Sequence, residues 1–476
     1  MGQAAAFFDL DRTLLAGSSG PVFTEALREA GLVGARTVPG ENLVYRLFDV
    51  VGETLPSMAL ARQGAALAKG RSQAAVRAAA ERASTVLARR IQPYAHGLFE
   101  EHRAAGRMLV LATTTPFDLV EPLAGRLGFD AVVATRYGVC ADGTYDGKLD
   151  GPFVWSRGKL AAVRSWADDN DVDLRDSWFY SDSIYDTPLL RAVGHPVVVN
   201  PDPRMVIMAA ARRWPTLHLD VPPGVPKVPF LGMEPQQLAF AFMRPELVPY
   251  ARWDVKGAER IPREGPAILV GNHRSYFDPT AVAMVVARRG RSVRFLGKKE
   301  VFDAPVVGQI AALMGGIRVD RGTGSDGPLQ AAAEALAAGD MVAIMPQGTI
   351  PRGKAFFDPK LKGRWGAARL AAMTQAPIIP IGLWGTEKVW PRSARIPNIL
   401  NVADAPLITI RVGNPIPLKY QSPDADTKRI MKALMDLLPP ESRIKHDPTE
   451  EELLAALPHG YKGNVTTESK RRPGVD

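Results

Sequence analysis

Short apolar runs alternate with helix-like stretches along most of this sequence, and this alternation constrains the fold more than any other feature. In the first half the apolar runs are AAAFFDL, RMLVLATTT, DAVVATRYGV, SWFYSDS and HPVVVNPDP. Strands that alternate with helices are typical of a parallel sheet with helices on both faces. We therefore predict an α/β fold for this half, with ligands bound beyond the carboxyl ends of the strands.

One long stretch interrupts the alternation. From about residue 20 to residue 103 the apolar residues recur at spacings of three and four, which is the helical period, and no strand pattern is present. The sequence therefore predicts a helical insert between the first and second strands.

The length of the chain predicts more than one domain. It has 476 residues, whereas single cores stop growing at about 250–300 residues. Residues 215–236 are proline-rich and aperiodic, which is typical of a semi-rigid linker. We place a first domain over 1–214 and a second α/β domain over 237–440, because the same alternation resumes there.

The end of the chain differs from both domains. An amphipathic helix within residues 427–438 places Ile430, Leu434, Leu437 and Leu438 on one face. Residues 441–476 are polar, and we expect most of this tail to be flexible.

Composition restricts the compartment and the partners. The net charge is +9, which favours anionic partners, but the basic residues do not alternate with aromatic ones, so we expect no nucleic-acid binding. Cys140 is the one cysteine, so no intrachain disulfide forms and a reducing cytoplasm is favoured. We expect no secretory signal and no transmembrane helix, so that any membrane contact is peripheral.

Polar residues suited to phosphate chemistry follow the strands of the first domain. Asp9 and Asp11 come directly after the first apolar run, as a nucleophilic carboxylate and a carboxyl that exchanges protons. A phosphate facing two carboxylates needs compensating groups. The downstream sequence supplies a hydroxyl, a cation and two carboxylates that suit Mg²⁺, namely Thr113, Lys159, Asp182 and Asp186.

These motifs, in this order over residues 5–214, resemble the haloacid dehalogenase superfamily of aspartate-based phosphatases, in its phosphoserine-phosphatase-like branch. The resemblance implies a Rossmann-like parallel sheet with a helical cap. It also implies that Asp9 becomes an aspartyl-phosphate and that Asp11 is the general acid and base. Thr113 and Lys159 would bind the phosphoryl group, and Mg²⁺ would lie among Asp9, Asp11, Asp182 and Asp186.

Two motifs depart from the pattern of that superfamily. The second reads ATTTP instead of presenting a lone serine, and the fourth begins Ser181-Asp182 instead of Gly-Asp. The required chemistry is preserved, but two alternatives stay open. In the first alternative, the domain acts on a soluble substrate such as phosphoserine. In the second, it is a catalytically silent module that docks or regulates the second domain.

A second group of polar residues follows the apolar run AILV in the second half. His273 and Asp278 are five residues apart, and a turn into a helix would let the carboxylate hold one imidazole nitrogen and strengthen the other as a base. Glycine-rich segments downstream carry cations suited to phosphate: Lys298, Lys299, Arg318, Arg321 and Arg352.

Residues 245–420 resemble the glycerolipid acyltransferases typified by 1-acylglycerol-3-phosphate acyltransferase, whose signature is His-x4-Asp. The resemblance implies that His273 deprotonates the acceptor hydroxyl and that Asp278 orients His273. It also implies a phosphate site that includes Arg318, Arg321 and the loop residues Gln347, Gly348 and Thr349. The family motif Pro-Glu-Gly-Thr-Arg is altered here by Gln347 and Ile350, and Arg352 is a candidate substitute for the missing arginine.

Together the two halves predict a bifunctional enzyme of lipid synthesis. The second domain would transfer an acyl group from acyl-CoA or acyl carrier protein to a lysophospholipid, and the first would hydrolyse a phosphomonoester with Mg²⁺. Such substrates favour peripheral contact with an anionic membrane, at its cytoplasmic face. Residues 235–250 are apolar with one arginine, and they form either an interfacial segment or a helix that covers the domain's own core.

Overall fold

The structure is a computed structural model. It describes residues 3–34, 53–223, 225, 227–228, 232–240, 243–298, 302–303, 307–313, 315–319 and 327–469. The chain forms two compact units: Met1–Pro223 with Pro229–Gly232, and Gly224–Val228 with Met233–Asp476.

The first unit is built on a parallel sheet. Its strands are β1 (Ala5–Phe8), β2 (Met108–Pro116), β3 (Ala131–Thr135), β6 (Trp178–Ser181), β7 (His195–Val199) and β8 (Thr216–Leu217), and a separate antiparallel hairpin pairs β4 (Tyr137–Val139) with β5 (Tyr145–Leu149). The spatial order is β3-β2-β1-β6-β7-β8, and each neighbouring pair is parallel. The predicted α/β class is confirmed, and β1 lies in the middle of the sheet.

The predicted helical insert is also confirmed for its described residues. Between β1 and β2 the chain forms α1 (Gly20–Glu29), α2 (Leu55–Arg62), α3 (Gly64–Ala68), α4 (Gln73–Ala88) and α5 (Ala95–Ala104). The helices that follow are α6 (Phe117–Leu127), α7 (Arg157–Asp169), α8 (Thr187–Leu190) and α9 (Pro203–Arg212).

Alternating residues of β1 fill the cores on the two faces of the sheet. Phe8 packs with Phe99 and stacks on Tyr180, with 4.6 Å between the latter ring centroids. Phe7 packs into the opposite core and meets Trp166 edge to face. Because both faces are covered, β1 reads as a continuous apolar run instead of an alternating one.

The first unit extends beyond residue 214, where the sequence placed its end. Thr216 and Leu217 add an edge strand beside β7, and Leu219 and Val221 are buried. This extension begins directly after a Trp-Pro pair and is followed by three prolines, so the proline content of the segment hides a strand of two residues.

The second unit contains a mixed sheet. Its strands are β9 (Arg252–Lys256), β10 (Ala267–Gly271), β11 (Val293–Lys298), β12 (Ile317–Val319), β13 (Met341–Ile344), β14 (Ile378–Trp384) and β15 (Leu407–Val412). They are ordered β12-β11-β13-β10-β14-β15-β9, and β15 runs antiparallel to β14. The sequence did not predict β9, an edge strand with charges at both ends, or the three-residue β12.

Helices cover this sheet on both faces. They are α10 (Pro235–Ala239), α11 (Asp278–Ala287), α12 (Val307–Leu313), α13 (Gly327–Ala337), α14 (Gly366–Thr374), α15 (Thr386–Val389), α16 (Pro423–Leu437) and α17 (Glu450–Ala455). One core contains α11, and the other contains α13, α14 and α16. No helix among the described residues is both long and apolar enough to cross a bilayer.

Residues 235–250, for which the sequence left two alternatives, and the tail, residues 441–476, both pack against this unit in their described parts. Within residues 235–250, Met243 and Val248 are buried in a core, as expected of a segment that covers its own domain. The tail, which was expected to be flexible, instead buries Leu453 and Leu457, and the carbonyl of Glu468 accepts a hydrogen bond from the backbone of Lys354 at 2.9 Å. Leu453 lies in α17 and Leu457 follows four residues later, so the two side chains are one helical turn apart and are buried together with Ala456.

Candidate active sites

The first candidate site begins where β1 ends. The backbone N–H of Asp9 donates to the carbonyl of Tyr180 at 3.0 Å, so Asp9 continues the pairing of β1 with β6. The next five residues, Leu10–Leu14, form a tight turn in which Arg12 has a φ of 59°. This turn places Asp9 and Asp11 at the carboxyl edge of the sheet, as the sequence predicted.

Lys159 joins two of the predicted carboxylates. Its Nζ lies 3.0 Å from Asp9 Oδ1 and 2.7 Å from Asp186 Oδ2, and all three side chains are buried. Burial alone would lower the pKa of Lys159, but the charges of Asp186 and Asp9 raise it above its usual value. Lys159 is therefore a fixed cation beside the candidate nucleophile.

Asp182 is held by the turn that follows β1. Its Oδ2 accepts from Arg12 Nε at 2.9 Å, and its Oδ1 accepts from the hydroxyl of Thr13 at 3.2 Å. Burial raises the pKa of Asp182 to about 7, although Arg12 acts in the opposite direction. No pattern in the sequence indicates that Arg12 pairs with this carboxylate.

Asp11 is fixed by two donors from different elements. Its Oδ1 accepts the backbone N–H of Ser19, and its Oδ2 accepts the hydroxyl of Thr115 at 3.2 Å. Burial raises the pKa of Asp11. Thr113 is buried within β2, and its hydroxyl accepts from the backbone of Thr115 at 3.3 Å.

The insert contributes a carboxylate that sequence reasoning missed. Glu53 accepts hydrogen bonds from the Ser183 hydroxyl at 2.6 Å and from Trp155 Nε1 at 3.0 Å. Burial raises the pKa of Glu53, and the nearby charge of Asp186 raises it further. No motif marks Glu53, because its position depends on how the insert folds back onto the sheet.

The acidic residues of this site fit a hard divalent cation such as Mg²⁺. Asp186 Oδ1 is buried and has no hydrogen-bond partner among the described residues, and burial also raises the pKa of Asp9. In the described part of the chain no three potential ligands already converge on one point. Arg12 and Lys159 occupy carboxylate oxygens instead, so a cation at Asp182 would compete with Arg12.

The second candidate site begins where β10 ends. The amide of Asn272 donates to the carbonyl of Leu383 at 2.8 Å and accepts from the Leu383 backbone at 2.7 Å, which fixes the end of β10 to β14. The next residue is His273, whose Nδ1 lies 2.8 Å from Asp278 Oδ2. The predicted histidine–aspartate pair is therefore brought together.

Asp278 is fully buried at the start of α11 and is surrounded by donors. Its Oδ2 also accepts the backbone N–H groups of Arg274 at 2.6 Å and Ser275 at 2.8 Å, and its Oδ1 accepts the Thr386 hydroxyl at 2.6 Å. These contacts fix the carboxylate, so it orients the imidazole through Nδ1 and leaves Nε2 available as a base. The side chain of His273 is 19% exposed, which gives a substrate access.

The Pro-Gln-Gly-Thr loop lies beside His273. Gln347 Oε1 accepts the backbone N–H of His273 at 2.6 Å. Gly348 has a φ of +74°, and a Cβ built on it would lie 2.9 Å from Arg364 Nε. The guanidinium of Arg364 therefore lies against this loop, although the sequence analysis did not select it, because it lies fourteen residues beyond Ile350.

For the other cations predicted to bind phosphate, the described residues show no hydrogen bond or ion pair with His273 or with the Pro-Gln-Gly-Thr loop. Ile350 is buried, and its carbonyl accepts from Arg392, so the family's arginine position is filled by an apolar core residue. Arg352 is next to Gly353, at which a Cβ would collide with the backbone of Glu468 in the tail. Of the cations predicted to bind phosphate, Lys299 and Arg321 lie outside the described residues, and at Lys298 and Arg318 only the strand backbone is described.

Arg274 makes further contacts next to the catalytic candidates. Its guanidinium lies 4.3 Å from the ring centroid of Phe356 and 4.2 Å from that of Trp384, and it donates to Glu387 at 3.0 Å. Cation–π contacts and an ion pair together hold this side chain in place. Arg274 thus supports the segment between His273 and Asp278.

Each of the two α/β units matches a known enzyme family, one of hydrolases and the other of acyltransferases. Residues 6–191 match the family model for haloacid dehalogenase-like hydrolases, and residues 252–384 match that for acyltransferases. The chain belongs to the haloacid dehalogenase-like hydrolases through its first unit, and it is a fusion of such a hydrolase with an acyltransferase domain.

The chain is similar to named proteins over its first unit and to a solved acyltransferase structure. The chain is 36% identical over 222 residues to the inhibition of morphological differentiation protein of Streptomyces azureus, covering 46% of this chain and 80% of that one. It is 35% identical to phosphoserine phosphatase SerB1 of Mycobacterium tuberculosis, covering 44% and 69% respectively. Among solved structures, the acyltransferase PlsC from Thermotoga maritima is 22% identical, with a TM-score of 0.31 over 42% of this chain and 74% of that one.

Proposed function

We propose that the second unit transfers an acyl group from a thioester, acyl-CoA or acyl carrier protein, to the free hydroxyl of a lysophospholipid. The acceptor would be 1-acylglycerol-3-phosphate, and the product phosphatidate. The observation that carries this proposal is the contact of 2.8 Å between His273 Nδ1 and the buried carboxylate of Asp278. An imidazole held in this way has Nε2 free to accept a proton.

The reaction then needs no acyl-enzyme. Nε2 of His273 accepts the hydroxyl proton of the acceptor as the hydroxyl oxygen attacks the thioester carbonyl. The carbon–sulfur bond breaks, and the imidazolium returns the proton to the departing thiolate. Asp278 stabilises the imidazolium and keeps the proton on Nδ1, because its fixed Oδ2 accepts only from that nitrogen and from backbone donors.

Binding of the acceptor phosphate would fall to cations around the Pro-Gln-Gly-Thr loop. Gln347, Gly348 and Thr349 form the loop, and we assign Arg318, Arg321 and Arg352 to the same phosphate as expected from the family motifs. Arg364 is a further candidate, because its guanidinium lies against Gly348.

For the first unit we propose hydrolysis of a phosphomonoester. Asp9 would attack phosphorus and expel the alcohol, to which Asp11 gives a proton, and Asp11 would then take a proton from the water that hydrolyses the aspartyl-phosphate. Lys159 and Thr113 would bind the phosphoryl oxygens. Asp9, the Asp11 carbonyl, Asp182 and Asp186 would hold Mg²⁺, which offsets negative charge on the phosphoryl group when bound.

The simplest physiological link is that the two steps are consecutive, so that phosphatidate made by the second unit loses its phosphate and becomes diacylglycerol. Incubating the full chain with labelled 1-acylglycerol-3-phosphate, acyl-CoA and Mg²⁺ tests this link. Diacylglycerol should accumulate after phosphatidate. Phosphatidate that persists without any diacylglycerol would exclude the coupling while leaving acyl transfer intact.

A soluble substrate is the second candidate for the first unit. It is favoured by the 35% identity with a protein named phosphoserine phosphatase. Phosphate release from phosphoserine and from phosphatidate, compared at equal concentrations, separates the two. If neither these nor a chromogenic ester is hydrolysed, the first unit is a silent docking module.

We also place the protein in the cytoplasm, in peripheral contact with the inner face of the membrane, because a lysophospholipid acceptor resides there. Cell fractionation with and without high salt tests this placement. The protein should appear in the membrane fraction at low salt and shift toward the soluble fraction as salt screens its charges.

A further inference from the structure

One loop of the second unit exposes a cluster of aliphatic side chains. In the aliphatic loop, which we define as residues 395–402, the side chains of Ile396, Ile399, Leu400 and Val402 are 70%, 50%, 88% and 53% exposed. Single exposed apolar residues are ordinary, but clusters mark surfaces that bind something. Four such residues within seven positions form a cluster of this kind.

The loop backbone is held in place without help from these side chains. The N–H of Asn398 donates to Val389, that of Ile399 to Pro397 and that of Val402 to Leu400, each at 2.9 Å. The loop is therefore held in its shape while its aliphatic side chains remain in water.

The aliphatic loop is connected to the acyl-transfer site. Trp390 Nε1 donates to the carbonyl of Ala394, the residue just before the loop, at 3.1 Å. The carbonyl of Trp390 accepts from the hydroxyl of Ser275 at 2.7 Å, and the Trp390 ring lies 5.8 Å from that of Tyr276. Ser275 and Tyr276 belong to the segment that begins at His273, so whatever binds the loop is brought close to that segment.

The charges around the loop favour an anionic surface. Arg395 and Lys388 are exposed cations, whereas Asp404 is the exposed acid just beyond the loop. Tyr276, 44% exposed, adds an aromatic ring of the type that is enriched at bilayer interfaces. Exposed aliphatics beside cations and an aromatic ring are the features of a lipid-binding surface.

The size of the loop argues against a protein partner. A specific protein interface buries about 800 Å² on each partner, from about 20–30 residues. A loop of eight residues supplies a small part of that area, whereas a few aliphatic side chains suffice to enter the headgroup region of a bilayer.

We propose that residues 395–402 insert into the headgroup region of an anionic bilayer and hold the acyl-transfer site of the second unit at the lipid surface. This proposal rests on the proposed function, which makes the acceptor a lipid. It assigns membrane contact to a loop distant in sequence from residues 235–250, whose Met243 and Val248 are used in the core.

Sedimentation of the full chain with vesicles tests the proposal. With vesicles of equal parts phosphatidylcholine and phosphatidylglycerol, the double variant Ile396→Asn, Leu400→Asn should bind at least about tenfold more weakly than the unchanged chain. Arg395→Gln should weaken binding about fivefold, and only to the anionic vesicles. The matched control is Ile207→Asn, which changes an isoleucine of the first unit that is 64% exposed and should leave binding unchanged.

A site-specific label locates the inserted residue. Cys140 is the one cysteine of the chain, so Cys140→Ser combined with Leu400→Cys allows an environment-sensitive dye to be attached at position 400 alone. The dye should shift to shorter wavelength when vesicles are added, and the same dye on Ile207→Cys should not. Vesicle binding without a shift at position 400, or no vesicle binding, would overturn the proposal.

Two further measurements test whether the loop joins two copies of the chain and whether the proposed acyl transfer itself is wrong. If the loop instead joins two copies of the chain, the mass in solution without lipid will be that of a dimer and will fall to that of a monomer in the double variant, which would also overturn the proposal. Acyl transfer to a short-chain, water-soluble lysophosphatidate without vesicles should be equal in the double variant and the unchanged chain. Failure of both proteins in that assay would refute the proposed acyl transfer and leave the vesicle result standing.

Discussion

Gln347 Oε1 accepts a hydrogen bond from the backbone N–H of His273 across 2.6 Å. The loop that carries the altered family motif therefore contacts the same residue that Asp278 orients. A glutamine at this position keeps the acceptor oxygen that a glutamate would supply, so the change from the family residue preserves this contact.

The first prediction follows from that contact. Gln347→Met removes the acceptor and leaves the backbone N–H of His273 without this partner, so acyl transfer should fall at least about tenfold, mainly in kcat. Gln347→Glu restores the family residue and should stay within about threefold of the unchanged chain. Equal rates for all three proteins, measured with lysophosphatidate and acyl-CoA, would show that the contact does not position His273.

The second prediction concerns recognition of the acceptor phosphate. Because the Arg364 guanidinium lies against Gly348, Arg364→Gln should raise KM for lysophosphatidate about tenfold or more, without a matching effect on monoacylglycerol, which lacks the phosphate. The matched control is Arg369→Gln, an exposed arginine on α14. A KM increase that is the same for both acceptors would assign Arg364 a structural role.

The third prediction concerns the stability of the first unit in acid. His102 is buried, its Nε2 lies 2.8 Å from the Tyr180 hydroxyl, and burial, aided by the charge of Arg107, lowers its pKa from 6.5 to about 4. Between these values the unfolded chain binds the extra proton at His102, so the contribution of His102 to stability falls as pH decreases from 6.5 toward 4, whereas the raised pKa of Asp182 acts in the opposite direction. The loss at pH 4.5 should be about 2–3 kcal/mol.

This loss can be measured in urea titrations in which hydrogen exchange of the peptide that contains β2 reports the unfolding of the first unit. In His102→Gln the titrating group is absent and a hydrogen bond to Tyr180 can still form, so the free energy of unfolding of the variant should rise by about 2–3 kcal/mol relative to that of the unchanged chain between pH 6.5 and pH 4.5. An unchanged slope in His102→Gln would mean that another group controls the acid sensitivity.

The fourth prediction concerns divalent cations. Removal of Mg²⁺ with a chelator should reduce phosphate release at least about a hundredfold, because Lys159 and Arg12 alone do not offset the charge of the carboxylates and the phosphate together. Acyl transfer by the same sample should change less than about twofold, since His273 and Asp278 need no metal. Phosphate release that persists in chelator would contradict a metal-assisted first site.

Much of the fold follows from local sequence patterns. Continuous apolar runs such as that around Phe7 and Phe8 predict strands covered on both faces, and the predicted edge for Asp9 and Asp182 follows from the rule that parallel strands share a carboxyl end. The same patterns miss β8, whose two residues sit among prolines, and they give no sign that the tail containing α17 packs against the second unit, because few of its residues are apolar.

The candidate sites were predictable only where a motif carries the chemistry. His273 with Asp278, and Asp9 with Lys159, are adjacent as expected, because each pair consists of groups that need one another. Glu53, Arg12 and Arg364 were missed, since their positions depend on how an insert, a left-handed turn and a later segment fold back. Contacts between residues that are far apart in the sequence produce no motif of fixed spacing from which they could be predicted.

The central claim is that one chain carries two separate active sites, one built on Asp9 and the other on His273. Its most direct test is to assay phosphate release from a chromogenic ester and acyl transfer to lysophosphatidate in Asp9→Asn and in His273→Ala, with the full chain in each case. Asp9→Asn should lose phosphate release at least about a thousandfold and keep acyl transfer, and His273→Ala should show the opposite pattern. Loss of both activities in either variant, with the fold intact by circular dichroism, would contradict the account.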